Sequence, residues 1–409
     1  MRATNLTDVL NIFDPRRSLT TREELDAYFV ERQMGILATM ETYLKNMTSR
    51  SKLLFTGHRG SGKSTELNRL VLNIEDQFFI IKFSITESLD PFDLNYIDIV
   101  LTCALKLLER AVKEEVEINR GILTDVFDWL QNEITEERVI ESSMKGGLMN
   151  RLNLFLLKIE GKLGKEVITR VTMRRKIGPR FSELVDKINL IIREIEEKTS
   201  KEVLIIIEDL DKTDLDRADK LFFQHGRSIS SIHSKIIYTF PIALRYSGNF
   251  AQISRTFDDN FILPNITIFD KRGNNNPRGE EILREAILKR MEEHLIEEET
   301  IREVIRLSGG VILELIILIQ KSANYALTYK KTVIDQDIIK RVVREIQNDY
   351  RIMLREEQYE ILKMVNGDEE KKRIVNDRIG QELLHNLSLL EYRNDEVWVD
   401  VHPIVRHLL

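Results

Sequence analysis

The stretch LLFTGHRGSGKSTELNRL (residues 53–70) decides the fold, because its centre fits the pattern G-x-x-x-x-G-K-[ST]. A short apolar run precedes the glycines and a helix-forming run follows them. In a strand–loop–helix of this kind the glycines let backbone N–H groups turn onto phosphate oxygens, and the helix N-terminus adds positive potential. The sequence therefore predicts a nucleotide phosphate site made of Gly57, His58, Arg59, Gly60, Ser61, Gly62, Lys63, Ser64 and Thr65.

Two side chains of this loop have specific expected roles. Lys63 should reach the β- and γ-phosphates, and Ser64 should offer its hydroxyl to Mg²⁺. The alternative, a chance glycine-rich loop, is disfavoured by the strand before it and the helix after it. The expected cofactors are therefore ATP or ADP with Mg²⁺.

A second element of the site is expected at EVLIIIEDLDK (residues 202–212), a continuous apolar strand that ends in acids. Strand ends of this kind face the crevice where nucleotides bind in parallel sheets. We expect Glu208 on the metal and Asp209 on the attacking water, with Asp211 beside them. The usual order of this motif begins with Asp, so the assignment can slide by one and place Asp209 on the metal. The alternative is a solvated acidic turn.

A further strand with a polar end is SKIIYTFPIALRYS (residues 234–247). Thr239 and Arg245 would then sense the γ-phosphate from the neighbouring strand. An ordinary strand end with a surface arginine is an equally good interpretation. An arginine of one chain could also act on the nucleotide of a neighbouring chain. The candidates are Arg217, Arg255 and Arg290, and the sequence does not select among them.

Apolar strands without polar alternation, separated by helices, predict an α/β fold with a parallel sheet covered on both faces. The 409-residue chain is long enough for several domains. We predict a lead-in over 1–45, the sheet domain over 46–270, an all-α lid over 271–345 and a small winged helix over 346–409. The winged-helix prediction rests on two helices followed by the hairpin EYRNDEVWVDV, which turns at Asn394–Asp395.

Residues 105–200 do not fit a single crossover and are predicted to be a mostly helical insertion. Residues 114–141 hold nine acids, and residues 145–180 hold ten bases. The basic stretch is the best nucleic-acid candidate in the chain, but it is more simply a solvated face that pairs with the acidic stretch. Partner docking is a third interpretation.

Composition limits the class of protein. The net charge of −6 and the pI near 5.8 give no general attraction to nucleic acid. The single cysteine, Cys103, excludes an internal disulfide and suits a reducing compartment. No apolar run approaches the roughly 18–20 residues of a membrane span, so we expect no transmembrane segment. We expect a cytoplasmic location.

Taken together, the motifs resemble the AAA+/STAND class of ATPases, which includes NB-ARC switch proteins and origin-recognition ATPases. AYFVERQ (residues 27–33) is similar to the adenine-side motif of that class, which implies Phe29, Val30 and Arg32 near the base. RLSGGVILELIILIQKSANYA (residues 306–326) is similar to its lid segment, which implies that Gly310 packs on the nucleotide. Leu313 stands where that class often has a sensor arginine.

The closing segment VHPIVRHLL (residues 401–409) is similar to the Met-His-Asp motif of NB-ARC proteins. The resemblance implies that His402 contacts the β-phosphate of ADP and holds a closed resting state. The alternative is a histidine that caps the last helix of a small domain.

Three functions follow from these observations. The first is a regulatory ATPase, a STAND-like switch that self-associates or acts on a separate effector protein, by analogy in bacterial antiphage defence. The second is a DNA-handling ATPase like origin-recognition or transposition loaders. Against it, residues 351–409 hold nine Lys/Arg and twelve Asp/Glu. The third is an ATP-dependent scaffold with negligible turnover.

Overall fold

The structure is a computed structural model that describes residues 2–32, 35–47, 50–134, 152, 155–156, 159, 161, 167–368, 376–394 and 396–409. Its strands are β1 (Lys52–Gly57), β2 (Phe78–Ser84), β3 (Glu202–Glu208), β4 (Lys235–Pro241), β5 (Asp259–Ile262), β6 (Leu389–Arg393) and β7 (Val397–Val401). Its α-helices before the end of β5 are Leu6–Ile12, Arg22–Tyr28, Ile36–Asn46, Lys63–Ile74, Ile85–Ser88, Tyr96–Lys113, Arg120–Ile134, Val167–Ile177, Phe181–Thr199, Leu215–Asp219, Gly226–Ile229 and Phe250–Thr256.

Five strands form one sheet in the order β2-β3-β4-β1-β5, with every neighbouring pair parallel. Along β3 the side chains alternate between two hydrophobic clusters. Leu204 and Ile206 pack in the cluster on one face, and Ile205 and Ile207 pack in the cluster on the other. Both faces are therefore buried, which explains the unbroken apolar sequence of this strand and confirms the predicted α/β class.

Helices cover both faces of this sheet. The helix Ile36–Asn46 and the phosphate-loop helix, Lys63–Ile74, contribute to the cluster that holds Leu204. The long helices Tyr96–Lys113 and Phe181–Thr199 contribute to the other cluster. Cys103 lies fully buried in this second layer, where burial raises the pKa of its thiol.

The described part of 105–200 is helical, and its bases form ion pairs. Arg170 pairs with Asp90 and Asp93 at 3.4 and 3.0 Å, and Arg174 pairs with Asp93 at 2.8 Å and also contacts Asp98. Arg180 pairs with acids on either side of it in the chain. Most of the basic stretch before residue 167 lies outside the described residues. Where it is described, Arg170, Arg174 and Arg180 neutralise nearby acids, whereas Arg175 is exposed.

The C-terminal third is helical and then ends in a hairpin. Its helices are Pro277–Leu288, Glu298–Leu307, Ile312–Thr328, Gln336–Met353, Glu356–Asn366, Arg378–His385 and Pro403–Arg406. The antiparallel pair β6–β7 follows the helix Arg378–His385, which confirms the predicted all-α segment followed by a winged helix. The hairpin, which we call the wing, packs Trp398 on Tyr392 with ring centroids 4.5 Å apart. Asp395 of the predicted turn lies outside the described residues.

Among the helices of the described residues, none combines the length and the apolar character needed to cross a membrane.

Candidate functional site

The phosphate loop connects β1 to the helix that begins at Lys63. Gly60 and Gly62 have φ of +81° and +97°, a region that other residues rarely adopt. A Cβ on Gly60 would also collide with the Leu313 side chain, and one on Gly62 with the Arg32 guanidinium. Both glycines are therefore required by their backbone conformation, and Gly60 also by the close contact of Leu313.

Lys63 lies buried inside this loop. Its Nζ donates hydrogen bonds to the backbone oxygens of Gly57 and His58, both at 2.9 Å, and forms an ion pair with Asp211 Oδ2 at 2.9 Å. The structure thus brings the loop lysine to the acids after β3, as the two motifs require. Asp211 is a partner of Lys63 here.

Glu208, the last residue of β3, lies beside Ser64. Its carboxylate forms an ion pair with Lys82 through Oε2 at 2.6 Å. Burial raises the pKa of Glu208 despite the opposing effect of Lys82. Within the described chain its Oε1 is buried and has no hydrogen-bond partner. A hydroxyl next to a carboxylate with one free oxygen is a donor set that fits Mg²⁺.

Asp209 follows in a left-handed conformation, with φ of +69°. Its carboxylate accepts hydrogen bonds from Ser84 at 2.6 Å and Thr86 at 2.8 Å, and pairs with Lys212 at 2.6 Å. Burial acts to raise its pKa, but the bonds from Lys212, Ser84 and Thr86 outweigh it, and the pKa lies below its ordinary value. Asp209 is therefore kept ionised.

Thr239 and Arg245, expected together near the γ-phosphate, lie in different surroundings. Thr239 on β4 accepts a hydrogen bond from the Leu210 N–H at 3.0 Å, which fixes the turn that carries the acids. Arg245 forms an ion pair with Glu391 of the wing at 3.0 Å. Only Thr239 lines the cavity described next.

A cavity of about 420 Å³ lies over the phosphate loop. Its volume is within the range of small-molecule sites. The predicted residues that line it are Arg59, Gly60, Gly62, Lys63, Ser64, Thr65, Asp209, Asp211 and Thr239. The residues that we predicted for the site but that do not line this cavity are Phe29, Val30, Arg32, Gly57, His58, Ser61, Glu208, Arg245, Gly310 and His402.

The rest of the lining, which forms the other wall, was not predicted as part of the site, although the sequence offers Arg290 as a candidate to act on a neighbouring chain and Leu313 at the sensor position. It consists of residues 12 and 14–19 of the N-terminal segment, Tyr28, Thr86, Glu87, Lys212, Arg290, Ile312, Leu313 and Ile316. Arg290 lies just after the first helix of the lid, Pro277–Leu288. It donates hydrogen bonds to the backbone oxygens of Tyr28 and Ala286 at 3.0 and 2.9 Å. No carboxylate of the described residues pairs with it, and burial lowers its pKa to about 10. A partly desolvated cation without an acid partner is suited to binding an anion.

The adenine-side motif lies next to the phosphate-loop helix. The Phe29 ring stacks under the Arg69 guanidinium, whose carbon lies 3.9 Å from the ring centroid. Arg69 also pairs with Glu31 and Glu66. Tyr28, one residue before Phe29, is the aromatic residue of this segment that reaches the cavity.

The lid and the wing both contact the phosphate loop directly. The Leu313 N–H donates to the Gly60 oxygen at 3.1 Å. Gly310, with φ of +78°, contacts the Ile266 backbone so closely that no Cβ would fit. The Glu391 N–H of the wing donates to His58 Nε2 at 2.6 Å. The loop is thus bonded to two segments that follow it by more than 240 residues.

His402 lies at the same junction but makes a local contact. Its Nδ1 accepts a hydrogen bond from the Ile404 N–H at 3.2 Å, which caps the last helix. Burial, with a smaller contribution from Arg406, lowers its pKa to about 3. Within the described residues Nε2 has no hydrogen-bond partner. The capping alternative is therefore the contact that the structure shows, and the phosphate role stays a prediction.

The helix Arg378–His385, which precedes the wing hairpin, is docked on the sheet domain. Arg378 pairs with Asp216 at 3.0 Å, and Gln381 Nε2 donates to the Tyr246 oxygen at 3.3 Å. Burial lowers the pKa of His385, and Asp211 and Arg59 act on it from the phosphate side. In winged helices that bind DNA, the corresponding helix enters the major groove. Here it lies against the candidate site.

Comparison with known proteins gives structural similarity only. No protein-family model and no curated protein sequence matches the chain. The solved structures similar to it include Cdc6p from Pyrobaculum aerophilum, with 11% identity, coverage of 97% of this chain and 95% of that chain, and a TM-score of 0.38. The Aeropyrum pernix ORC1 protein in complex with DNA has 12% identity, coverage of 96% and 97%, and a TM-score of 0.39.

The RuvB Holliday junction branch migration motor of Thermotoga maritima has 13% identity, coverage of 95% and 97%, and a TM-score of 0.38. The strand order, the phosphate loop after β1, the acids after β3, the helical lid and the winged helix are features of this chain itself. By these features the chain has the fold of an AAA+ phosphate-loop ATPase with a C-terminal winged helix.

Proposed function

We propose that the chain is an ATP-binding ATPase that acts as a STAND-like molecular switch. The observation that carries this proposal is the pair of hydrogen bonds from the phosphate loop to the lid, at Gly60, and to the wing, at His58. A nucleotide that changes the conformation of the loop must change the energy of both contacts. Lid and wing positions therefore depend on which nucleotide is bound.

The residues of the site have distinct proposed roles. Lys63 exchanges its bond to Asp211 for bonds to phosphate oxygens, and Ser64 with Glu208 holds Mg²⁺. The metal ion supplies charge neutralisation at the phosphates. Asp209, kept ionised by its hydrogen bonds, orients the attacking water, and Thr239 fixes the turn on which Asp209 lies. Arg290 brings a positive charge from the lid side of the cavity.

The docked helix favours the switch over the DNA-handling alternative. The helix Arg378–His385 makes its contacts with the sheet domain, so its residues Arg378 and Gln381 are engaged there. Three of the described basic residues of the 145–180 stretch, Arg170, Arg174 and Arg180, are engaged in ion pairs. We propose that lid and wing rearrangement exposes a surface for self-association or for a separate effector protein. Antiphage defence stays a prediction from the resemblance.

The test compares Lys63→Ala with Lys45→Ala, which removes a lysine paired with Glu41 on an outer helix. Loss of a charge-assisted phosphate contact costs about 2–3 kcal/mol, so we expect Lys63→Ala to weaken ATP binding about 30- to 150-fold. Lys45→Ala should bind as wild type. Binding is measured by titration with a fluorescent ATP analogue. Equal affinities in the two variants would contradict a nucleotide site at this loop.

Three further measurements separate the alternative functions. Steady-state ATPase assays distinguish a switch that hydrolyses ATP from a scaffold with negligible turnover. Mass photometry with ADP, ATP and a non-hydrolysable analogue shows whether assembly depends on the nucleotide. A titration with duplex DNA across salt concentrations tests the DNA-handling alternative, because phosphate contacts give a steep salt dependence.

A further inference from the structure

The wing contacts the phosphate loop through its main chain. In an antiparallel pair alternate residues direct their N–H and C=O groups away from the partner strand. Glu391 on β6 is such a residue, because its N–H donates to His58 Nε2 at 2.6 Å and its oxygen accepts from Asn265 Nδ2 at 3.4 Å. The unpaired edge of the wing is therefore capped by two side chains of the preceding domain.

The His58 ring is buried and is bonded to the wing through one nitrogen. It is 1% exposed and accepts the Glu391 N–H through Nε2, while its Nδ1 has no hydrogen-bond partner among the described residues. Accepting through Nε2 requires an unprotonated nitrogen. Burial, and next the charge of Lys63, lowers the pKa of His58 to about 3, so the ring is neutral at physiological pH.

The same residue contacts the catalytic lysine through its backbone. The His58 oxygen accepts a hydrogen bond from Lys63 Nζ at 2.9 Å. If Lys63 moves to phosphate oxygens, this carbonyl loses its donor and the His58 peptide is free to reorient. A reoriented peptide moves the ring relative to the Glu391 N–H, which would then be buried without a partner.

The Glu391 side chain anchors the wing at a second point. Its carboxylate is buried, forms an ion pair with Arg245 at 3.0 Å and accepts a hydrogen bond from the Tyr246 hydroxyl. Both partners lie just after β4. Glu391 thus stays positioned when the His58 bond is removed by mutation. Because the two anchors are separate, a mutation of the His58 ring tests the bond to the Glu391 N–H alone.

We propose that His58 is a positioning residue that couples the phosphate loop to the wing, with its carbonyl on Lys63 and its ring on the Glu391 main chain. The proposal rests on the proposed function and specifies how the nucleotide state reaches the winged helix. Because coupling is reciprocal, a docked wing also biases the loop toward the conformation in which Lys63 is bonded to Asp211.

The test uses the full chain without nucleotide and measures hydrogen–deuterium exchange of the segment 388–394. His58→Phe keeps a ring but removes the acceptor, whereas His58→Gln offers an oxygen in its place. Loss of a buried hydrogen bond costs about 1–3 kcal/mol, so exchange in this segment should rise about 5- to 150-fold in His58→Phe. In His58→Gln it should stay within about threefold of wild type. Equal effects of the two variants, or no effect of His58→Phe, would overturn the proposal.

A second arm adds a non-hydrolysable ATP analogue. In wild type it should speed exchange in 388–394, and in His58→Phe it should add no further change while still binding. If the analogue still speeds exchange in His58→Phe, the wing is coupled by another route and the proposal is wrong. If Lys63→Ala binds ATP normally while His58→Phe still speeds exchange in 388–394, the proposed function fails and the His58 contact stands.

A measurement on the wild-type protein removes any dependence on the folding of the variants. In spectra of the ¹⁵N-histidine-labelled chain, the His58 ring should remain neutral at pH 5, with Nε2 unprotonated. A protonated ring at that pH would show that the bond to Glu391 does not hold the ring, and the proposal would fail.

Discussion

Two histidines lie at the junction between the sheet domain and the winged helix, one on each side. Burial is the main reason that the pKa of His58 and that of His402 both fall to about 3. His58 accepts a hydrogen bond from Glu391 across the junction, whereas His402 accepts one from Ile404, two residues further along its own chain segment. The two histidines are thus equally buried but have different roles. Only His58 bonds across the junction, so His58 is the residue that couples the sheet domain to the wing.

The same contrast holds for the two walls of the cavity. The wall of phosphate loop and acids is built by two motifs, each of residues close in sequence, and both belong to the sheet domain. The opposite wall brings together segment 12–19, Tyr28 and the lid. We expect the first wall to determine ATP hydrolysis. We expect the second wall to determine the affinity for the nucleotide and the response of the lid to it.

Asp209→Asn tests the chemistry of the first wall and should have the largest effect. Loss of the ionised carboxylate should reduce ATP turnover about 100- to 1,000-fold, equivalent to about 3–4 kcal/mol, while ATP affinity stays within about threefold. Single-turnover assays and binding titrations measure the two quantities. Asp26→Asn, at an exposed acid of the helix Arg22–Tyr28, is the control. A turnover loss below tenfold would exclude Asp209 from the reaction.

Gly310→Ala tests the contact of the lid with the sheet domain. A Cβ at Gly310 meets the Ile266 backbone, whereas Gly273 has nearly the same φ, +82° against +78°, and open space around it. We expect Gly273→Ala to cost about 1 kcal/mol from backbone strain, and Gly310→Ala about 3 kcal/mol because steric overlap adds to it. Urea unfolding, monitored by hydrogen–deuterium exchange in the lid, measures the loss of stability in both variants. Equal costs would mean that the lid does not pack as described.

His402→Asn tests the wing side through pH. The pKa of His402 is about 3 when buried and about 6.5 when exposed, so its burial costs nothing above pH 6.5 and destabilises the folded state progressively below that pH. Asn supplies an oxygen near the position of Nδ1 and does not titrate. Between pH 6.5 and 4.5 the wild type should lose about 1.4 kcal/mol per pH unit more than the variant.

Denaturant unfolding at several pH values measures this difference. The comparison cancels other groups, including Glu314, whose pKa burial raises to about 7. Parallel pH profiles for the two proteins would show that His402 is accessible to protons in the folded state.

Arg290→Met tests the second wall and should have the smallest effect. Loss of the cavity cation should weaken ATP binding about tenfold, equivalent to about 1.4 kcal/mol. Arg284→Met is the matched control, because Arg284 lies on the lid helix that precedes Arg290 and pairs with Glu293 and Glu298 on the surface. If both variants bind ATP equally, the lid side contributes no charge to the site.

The sequence was most informative where function requires adjacent residues. The loop at 57–64 and the acids at 208–211 could be recognised because nucleotide chemistry demands fixed spacing, and the parallel sheet because strands buried on both faces lose polar alternation. Arg290 and segment 12–19 could not be placed, because their approach to the cavity depends on long-range packing. Arg245 and Glu391 illustrate the same limit, since a pair 146 residues apart leaves no local pattern.

The contact between wing and phosphate loop has an evolutionary consequence. On the wing side it is made by a peptide N–H, which every residue except proline provides at that position. Side chains of the hairpin other than Glu391, whose carboxylate binds Arg245 and Tyr246, can therefore diversify to suit new binding partners while the joint to the nucleotide loop persists. On the loop side, selection to keep the hydrogen bond to the Glu391 N–H falls on the codon of His58.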